Sequence, residues 1–131
     1  PSAWPNQFRQ AHFISAVDCI QADRLRRRVS DEFSAIFART PIVIGPSFGN
    51  PMLVATNFIG TPSLTLRIGF AARTRRGESV PSASRPTVET PHGITLWGAA
   101  GAEALLCDFG ARLEAKLAVF ARRPDAITRA R

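Results

Sequence analysis

Residues 50–68, NPMLVATNFIGTPSLTLRI, carry the clearest structural message in the chain. Asn50, Pro51 and Gly60 form an N-cap, first-turn and C′ set. Asparagine offers an acceptor to free helix amides, proline is tolerated where no intrahelical N–H is needed, and glycine can leave the helix left-handed. A short helix is therefore expected from Pro51 to Ile59. After the Thr61-Pro62 turn the period changes to two. Leu64, Leu66 and Ile68 alternate with Ser63, Thr65 and Arg67, as in a strand with one face buried and the other partly polar.

Upstream, Ser15 followed three residues later by Asp18 resembles a capping box with Asp in place of Glu. A helix is expected from there to about Ala38. Ala22, Leu25, Val29, Phe33, Ile36 and Phe37 recur at spacings of three and four residues, which collects them on one core-facing stripe. TPIVIGP then predicts a turn and a short interior strand at Ile42 to Ile44, stopped by Gly45 and Pro46. Residues 1–13 make a lead-in segment, irregular or a short helix docking on a larger body.

Downstream, residues 71–92 show almost no apolar periodicity and contain three prolines, so a long variable loop is expected. A third strand follows at Ile94 to Trp97. Gly98 to Gly101 turn the chain into a last helix, where Ala102, Leu105, Leu106, Phe109, Leu113, Leu117 and Phe120 keep helical spacing. Asp108 and Arg112 form an i,i+4 pair on it, and residues 122–131 are a polar tail. Strands separated by helices and long connections predict an α/β fold: part of a mixed sheet flanked by helices in an α/β/α sandwich. Three short strands are few for a complete sheet, so the section is expected to be incomplete alone.

Composition narrows the function. The chain has 131 residues, 45% of them hydrophobic, which suits one modest core and excludes disorder throughout. No apolar run reaches the roughly 18 residues of a membrane span, and no leader pattern is present, so a cytoplasmic protein without membrane contact is expected. Pro1 in place of Met suggests a processed or truncated piece. Cys19 and Cys107 do not make a disulfide framework and are expected to be buried free thiols.

The net charge of +7 raises the question of nucleic acid. Arg24, Arg26, Arg27 and Arg28 are cancelled within their own helix by Asp18, Asp23, Asp31 and Glu32. The excess lies in the 71–92 loop and the tail, without the aromatic interleaving that stacking on single strands requires, so a nucleic-acid partner is disfavoured. His12 and His92 are far apart, no cluster has zinc-ligand spacing, and neither phosphate loop nor dinucleotide fingerprint occurs; no metal and no cofactor is expected. Asn57, inside an apolar helix, is expected to be a buried amide that ties neighbouring backbone together or touches a ligand. Trp97 is expected in the core with its N–H bonded locally.

The segment ATNFIGTPSLTLRIGF, Ala55 to Phe70, resembles the region near the C-terminal end of amidase signature hydrolases, where a helix ending in Thr-Asn-x-x-Gly-x-Pro leads into a strand and Gly-Phe. PHGITLWG, Pro91 to Gly98, is similar to the family's later Pro-x-Gly strand. SAVDCIQADRLRR, Ser15 to Arg27, resembles its long helix, and TPIVIGP its next buried strand. The resemblance spans nearly all of this chain but only the C-terminal part of the family's domain. Thr95, where many members carry Gln, and the 71–92 excursion are departures.

What the resemblance implies is the C-terminal section of an enzyme that hydrolyses an amide C–N bond through a Ser acyl-enzyme activated by a second Ser and a Lys. Here the sole lysine is Lys116, no two serines are adjacent and there is no Gly/Ser-rich loop. No catalytic residue can be carried over, and the chain alone is expected to be inactive. Asn57 and Trp97 are the candidates for the wall of a pocket holding a small amide substrate. The expected partner is the remainder of the domain, or a second copy meeting it at exposed sheet edges. A tRNA-dependent amidotransferase subunit and a small basic binding module are the other readings.

Overall fold

The computed structural model describes residues 4–47, 50–74 and 87–123, with backbone only at residue 4 and at 73, 74, 87 and 88. Residues 1–3 of the lead-in, the centre of the 71–92 excursion and most of the tail lie outside that set. In chain order the elements are α1 (Trp4–Ala11), α2 (Ala16–Arg39), β1 (Ile42–Pro46), α3 (Pro51–Ile59), β2 (Ser63–Thr74), β3 (Thr87–Gly98) and α4 (Glu103–Leu117).

The local signals produce the elements they predict. Ser15 caps α2: its hydroxyl accepts the Asp18 N–H at 3.1 Å and donates to the Asp18 carboxylate at 2.7 Å. Gly60 ends α3 in the left-handed region at φ 76°, and the Thr56 carbonyl accepts the N–H groups of both Gly60 and Thr61. At Asn50 the capping residue is in place without the capping bond; its side-chain N–H donates instead to the carbonyl of Pro46.

The fold is mixed α/β, with helices and a three-stranded sheet in the order β1-β3-β2. Both strand pairings are antiparallel. Two expectations are corrected here. β1 is an edge strand of the described sheet rather than an interior one, because its only described neighbour is β3. The 71–92 loop is also much narrower than expected, since residues 71–74 and 87–92 extend β2 and β3 and pair from Gly69↔His92 to Thr74↔Thr87. Backbone pairing supplies that extension, so it leaves no apolar pattern, and a bulge between Arg67 and Gly69 breaks the alternation.

The core forms on both sides of β3. Leu96 and Trp97 are fully buried at its centre, with Phe37 from α2 and Leu106 from α4. α4 packs on β2 and β3, and α2 packs on α3. The closest approach is at Gly110, where an added Cβ would lie 2.4 Å from Cδ2 of Leu64. Glycine there lets the helix settle onto the leucines of β2. α4 ends at Leu117, with Ala118 left-handed at φ 52°, so Phe120 lies past the helix rather than on its stripe.

Past α4 the chain is clipped back onto the sheet. Arg67 donates to the carbonyls of Val119, at 3.0 Å, and Phe120, while Arg122 pairs with Glu89. Both guanidinium groups lie over the Phe70 ring, at 5.2 Å and 4.7 Å from its centroid. This contact joins residues more than 50 positions apart.

The stripe on α2 is covered only at its C-terminal end. Phe37 is buried and its ring lies 6.0 Å from that of Phe33, yet Leu25 is 54% exposed, and Val17 and Ile20 also face solvent. Cys19 and Cys107 are free thiols, as expected, but both are exposed rather than buried. Cys107 lies on the flank of α4 away from the sheet-facing Leu106 and Gly110, and Cys19 lies on the uncovered half of α2. No helix among the described residues is long and apolar enough to cross a membrane.

Candidate functional site

Asn57 and Trp97 occupy different environments. Asn57 is exposed on α3, not the buried amide its apolar surroundings predicted. The buried polar residue of that helix is its neighbour Thr56, 2% exposed, whose hydroxyl donates to the Met52 carbonyl at 2.7 Å. A threonine can satisfy itself on the preceding turn in this way. A longer amide has no such local solution, and Asn57 keeps its donor and acceptor available to solvent.

Trp97 is in the core, as expected, but its indole N–H has no hydrogen-bond partner among the described residues. The register on β3 sets its place. Val43 and Ser63 flank it on the neighbouring strands, and its ring lies over Gly45, where an added Cβ would come within 3.0 Å of Cζ3. Glycine at 45 therefore makes room for the ring. An unpaired buried N–H costs about 1–3 kcal/mol, which makes Trp97 the least satisfied group of the core.

A second polar group surrounds Gly93. Thr65 and Thr95 are paired across β2 and β3, and their hydroxyl groups meet at 2.9 Å. The segment after β1 crosses the same spot: an added Cβ at Gly93 would be 3.0 Å from the Ser47 hydroxyl, 3.0 Å from the Leu66 carbonyl and 3.7 Å from the Thr65 methyl. Ser47 Oγ and Asn50 Oδ1 are buried with no described partner. The sequence marks Asn50 only as a cap and gives Ser47 no role; the antiparallel register is what brings Ser47 to the glycine of the Pro-x-Gly strand.

A groove of about 340 Å³ among the described residues lies elsewhere, along α2 and the end of α3. Asp23, Arg26, Arg27, Ser30, Asp31 and Ile59 line it, and Asp23 is ion-paired with Arg26. It contains neither Asn57 nor Trp97. Exposed pairs of this kind contribute little, about 0–1 kcal/mol, and the described hydrogen bonds do not join the Ser30 hydroxyl to either lining carboxylate. No cluster of three or more His, Cys, Asp or Glu that could hold a metal occurs among the described residues.

The side chains at Gly93, those of Ser47, Thr65 and Thr95, are neutral hydroxyl groups. They can orient a polar ligand by hydrogen bonds, but they supply no general base and no activated nucleophile. Comparison with protein-family models, curated proteins and solved structures gives no match.

Proposed function

We infer that this chain is the C-terminal section of an amidase signature hydrolase, contributing strands, covering helices and part of the pocket wall to an enzyme whose Ser-Ser-Lys machinery lies in other residues. One observation carries the reading. The strand parts of the two segments that resemble the family, Ser63–Phe70 and Pro91–Gly98, lie side by side in β2 and β3 and pair from Ser63↔Trp97 to Phe70↔Pro91 across one bulge. Motifs that belong to one site should meet in space, and these do.

The glycines of both motifs also have physical work that another residue would do badly. Gly60 turns left-handed between α3 and β2, and Gly93 admits the Ser47 hydroxyl beside the Leu66 carbonyl. Within the reading, Asn57 offers its exposed amide to the pocket and Trp97 supports the strand from the core side. The substrate is a small amide, and cleavage needs no metal. The cytoplasm is the compartment the reading implies.

The test has two arms. The purified 131-residue chain should release no ammonia or amine from a panel of aliphatic and aromatic amides, and the coding frame upstream of Pro1 should encode a Lys and a Gly/Ser-rich Ser-Ser stretch. Amide turnover by this chain alone, or an upstream frame lacking those elements, would refute the proposal. Salt-dependent retention of RNA by a chain without them would favour a small basic binding module.

A further inference from the structure

The two edges of the sheet differ. At β2, Ser63 and Thr65 are exposed and polar, and Arg67 carries a charge in mid-strand. At β1 every residue from Ile42 to Ile44 is apolar and β-branched, and no charged residue occurs from Thr40 to Leu66. Ile44 pairs with Leu96, which pairs with Leu64, and Leu64 meets α4 at Gly110. Ile42 and Ile44 therefore share the α4 face of the sheet. α4 lies over β2 and β3, however, and Ile44 remains 52% exposed.

Edge strands are ordinarily protected by charge, proline or a bulge. Proline occurs only before β1, at Pro41, and at its last residue, Pro46, and Ile42, Val43 and Ile44 between them have no such protection. We propose that the outer edge of β1 pairs with β1 of a second copy of this chain, antiparallel about a two-fold axis through Val43, so that two three-stranded sheets join into one of six strands.

The order Ile-Val-Ile is self-complementary about that axis. Ile42 of each copy lies beside Ile44 of the other on the α4 face, and Val43 meets Val43 on the opposite face. Cross-strand pairs of this type are favourable. A one-residue slip would turn the two apolar faces to opposite sides, and the flanking prolines keep the ladder short. Charge also selects this edge. Pairing two β2 edges would take Arg67 of each copy into the new ladder, whereas two β1 edges bring no charged residue into it. The proposal rests only on the edge and concerns this chain by itself; in the amide-hydrolase reading the remainder of the domain competes for the same edge, and the sedimentation test does not depend on amide turnover.

Sedimentation equilibrium across the micromolar range tests it. The expected mass is twice the 14.2 kDa of the monomer. Ile44→Lys should weaken the dimer at least tenfold while leaving the far-UV circular dichroism spectrum unchanged, and Ser63→Lys on the other edge should leave the dimer intact. Amide hydrogen exchange of the unmodified chain gives a readout that needs no variant: the amides of residues 42–45 should slow as concentration rises. A monomer at every concentration overturns the proposal, as does exchange at 42–45 that ignores concentration. So does a dimer that survives Ile44→Lys but is lost in Ile20→Glu, which would place the contact on α2.

Discussion

Replacing Gly110 with alanine sets helix propensity against packing. In the middle of α4, alanine is better than glycine by about 0.8–1 kcal/mol. Its methyl group, however, would sit 2.4 Å from Cδ2 of Leu64 and 3.4 Å from Cδ1 of Leu66, the first far inside ordinary carbon contact near 3.5–4.0 Å. Cδ2 ends a flexible, half-buried side chain and can give way in part, although the fully buried Leu96 beside it limits the turn. Overpacking of this kind costs about 1–3 kcal/mol. Gly110→Ala should therefore be neutral to destabilising, by about 0–2 kcal/mol, although propensity alone says the opposite. Leu64→Val removes the clashing atom, and in that background the same substitution should stabilise by about 0.5–1 kcal/mol. Urea unfolding of the four proteins, followed at 222 nm in the Ile44→Lys background to remove association, gives the coupling. An alanine that stabilises both backgrounds equally would refute the close packing of α4 on β2.

Two further substitutions test other contacts. Arg67→Ala should cost about 1.5–3 kcal/mol, because a charged donor loses the Val119 and Phe120 carbonyls; proteolysis near residue 120 should accelerate, and an unchanged cleavage rate would mean that the clip does not hold in solution. Ser15→Ala should cost about 1 kcal/mol, since its hydroxyl accepts the Asp18 N–H, whereas Asn50→Ala should cost less as a cap because Asn50 makes no capping bond. Equal losses in thermal melts would contradict that distinction.

The parts of the fold that could be read from sequence are those decided within a few residues. Ser15, Gly60 and the alternation from Ser63 to Arg67 each specify a local conformation, and the structure has all three. What could not be read depends on distant pairing. Residues 71–74 and 87–92 become strand because each lies opposite the other, and Pro91 is accommodated beside Phe70 where an isolated reading suggested a loop. The site shows the same division: Asn57 is visible as a polar residue in an apolar helix and Trp97 as a core aromatic, but the exposure of the first and the missing N–H partner of the second are set by the packing of α3 and the register of β3. The Ser47, Thr65 and Thr95 group had no sequence signal because three segments compose it.

The remaining mismatch is itself informative. A stripe that spans α2 from Ala22 to Phe37 but is buried only at its last turn, and a strand whose Ile44 matches a core position yet stays half exposed, are places where local pattern asks for cover that the described residues do not give. They lie on α2 and β1, whereas the polar edge of β2 asks for none. Any completing partner, whether a second copy or the remainder of a larger domain, therefore has its strongest physical reason to bind on the side of α2 and β1. Substitutions there should affect assembly before they affect the fold of the isolated chain, and a substitution at the exposed Ser63 should affect neither.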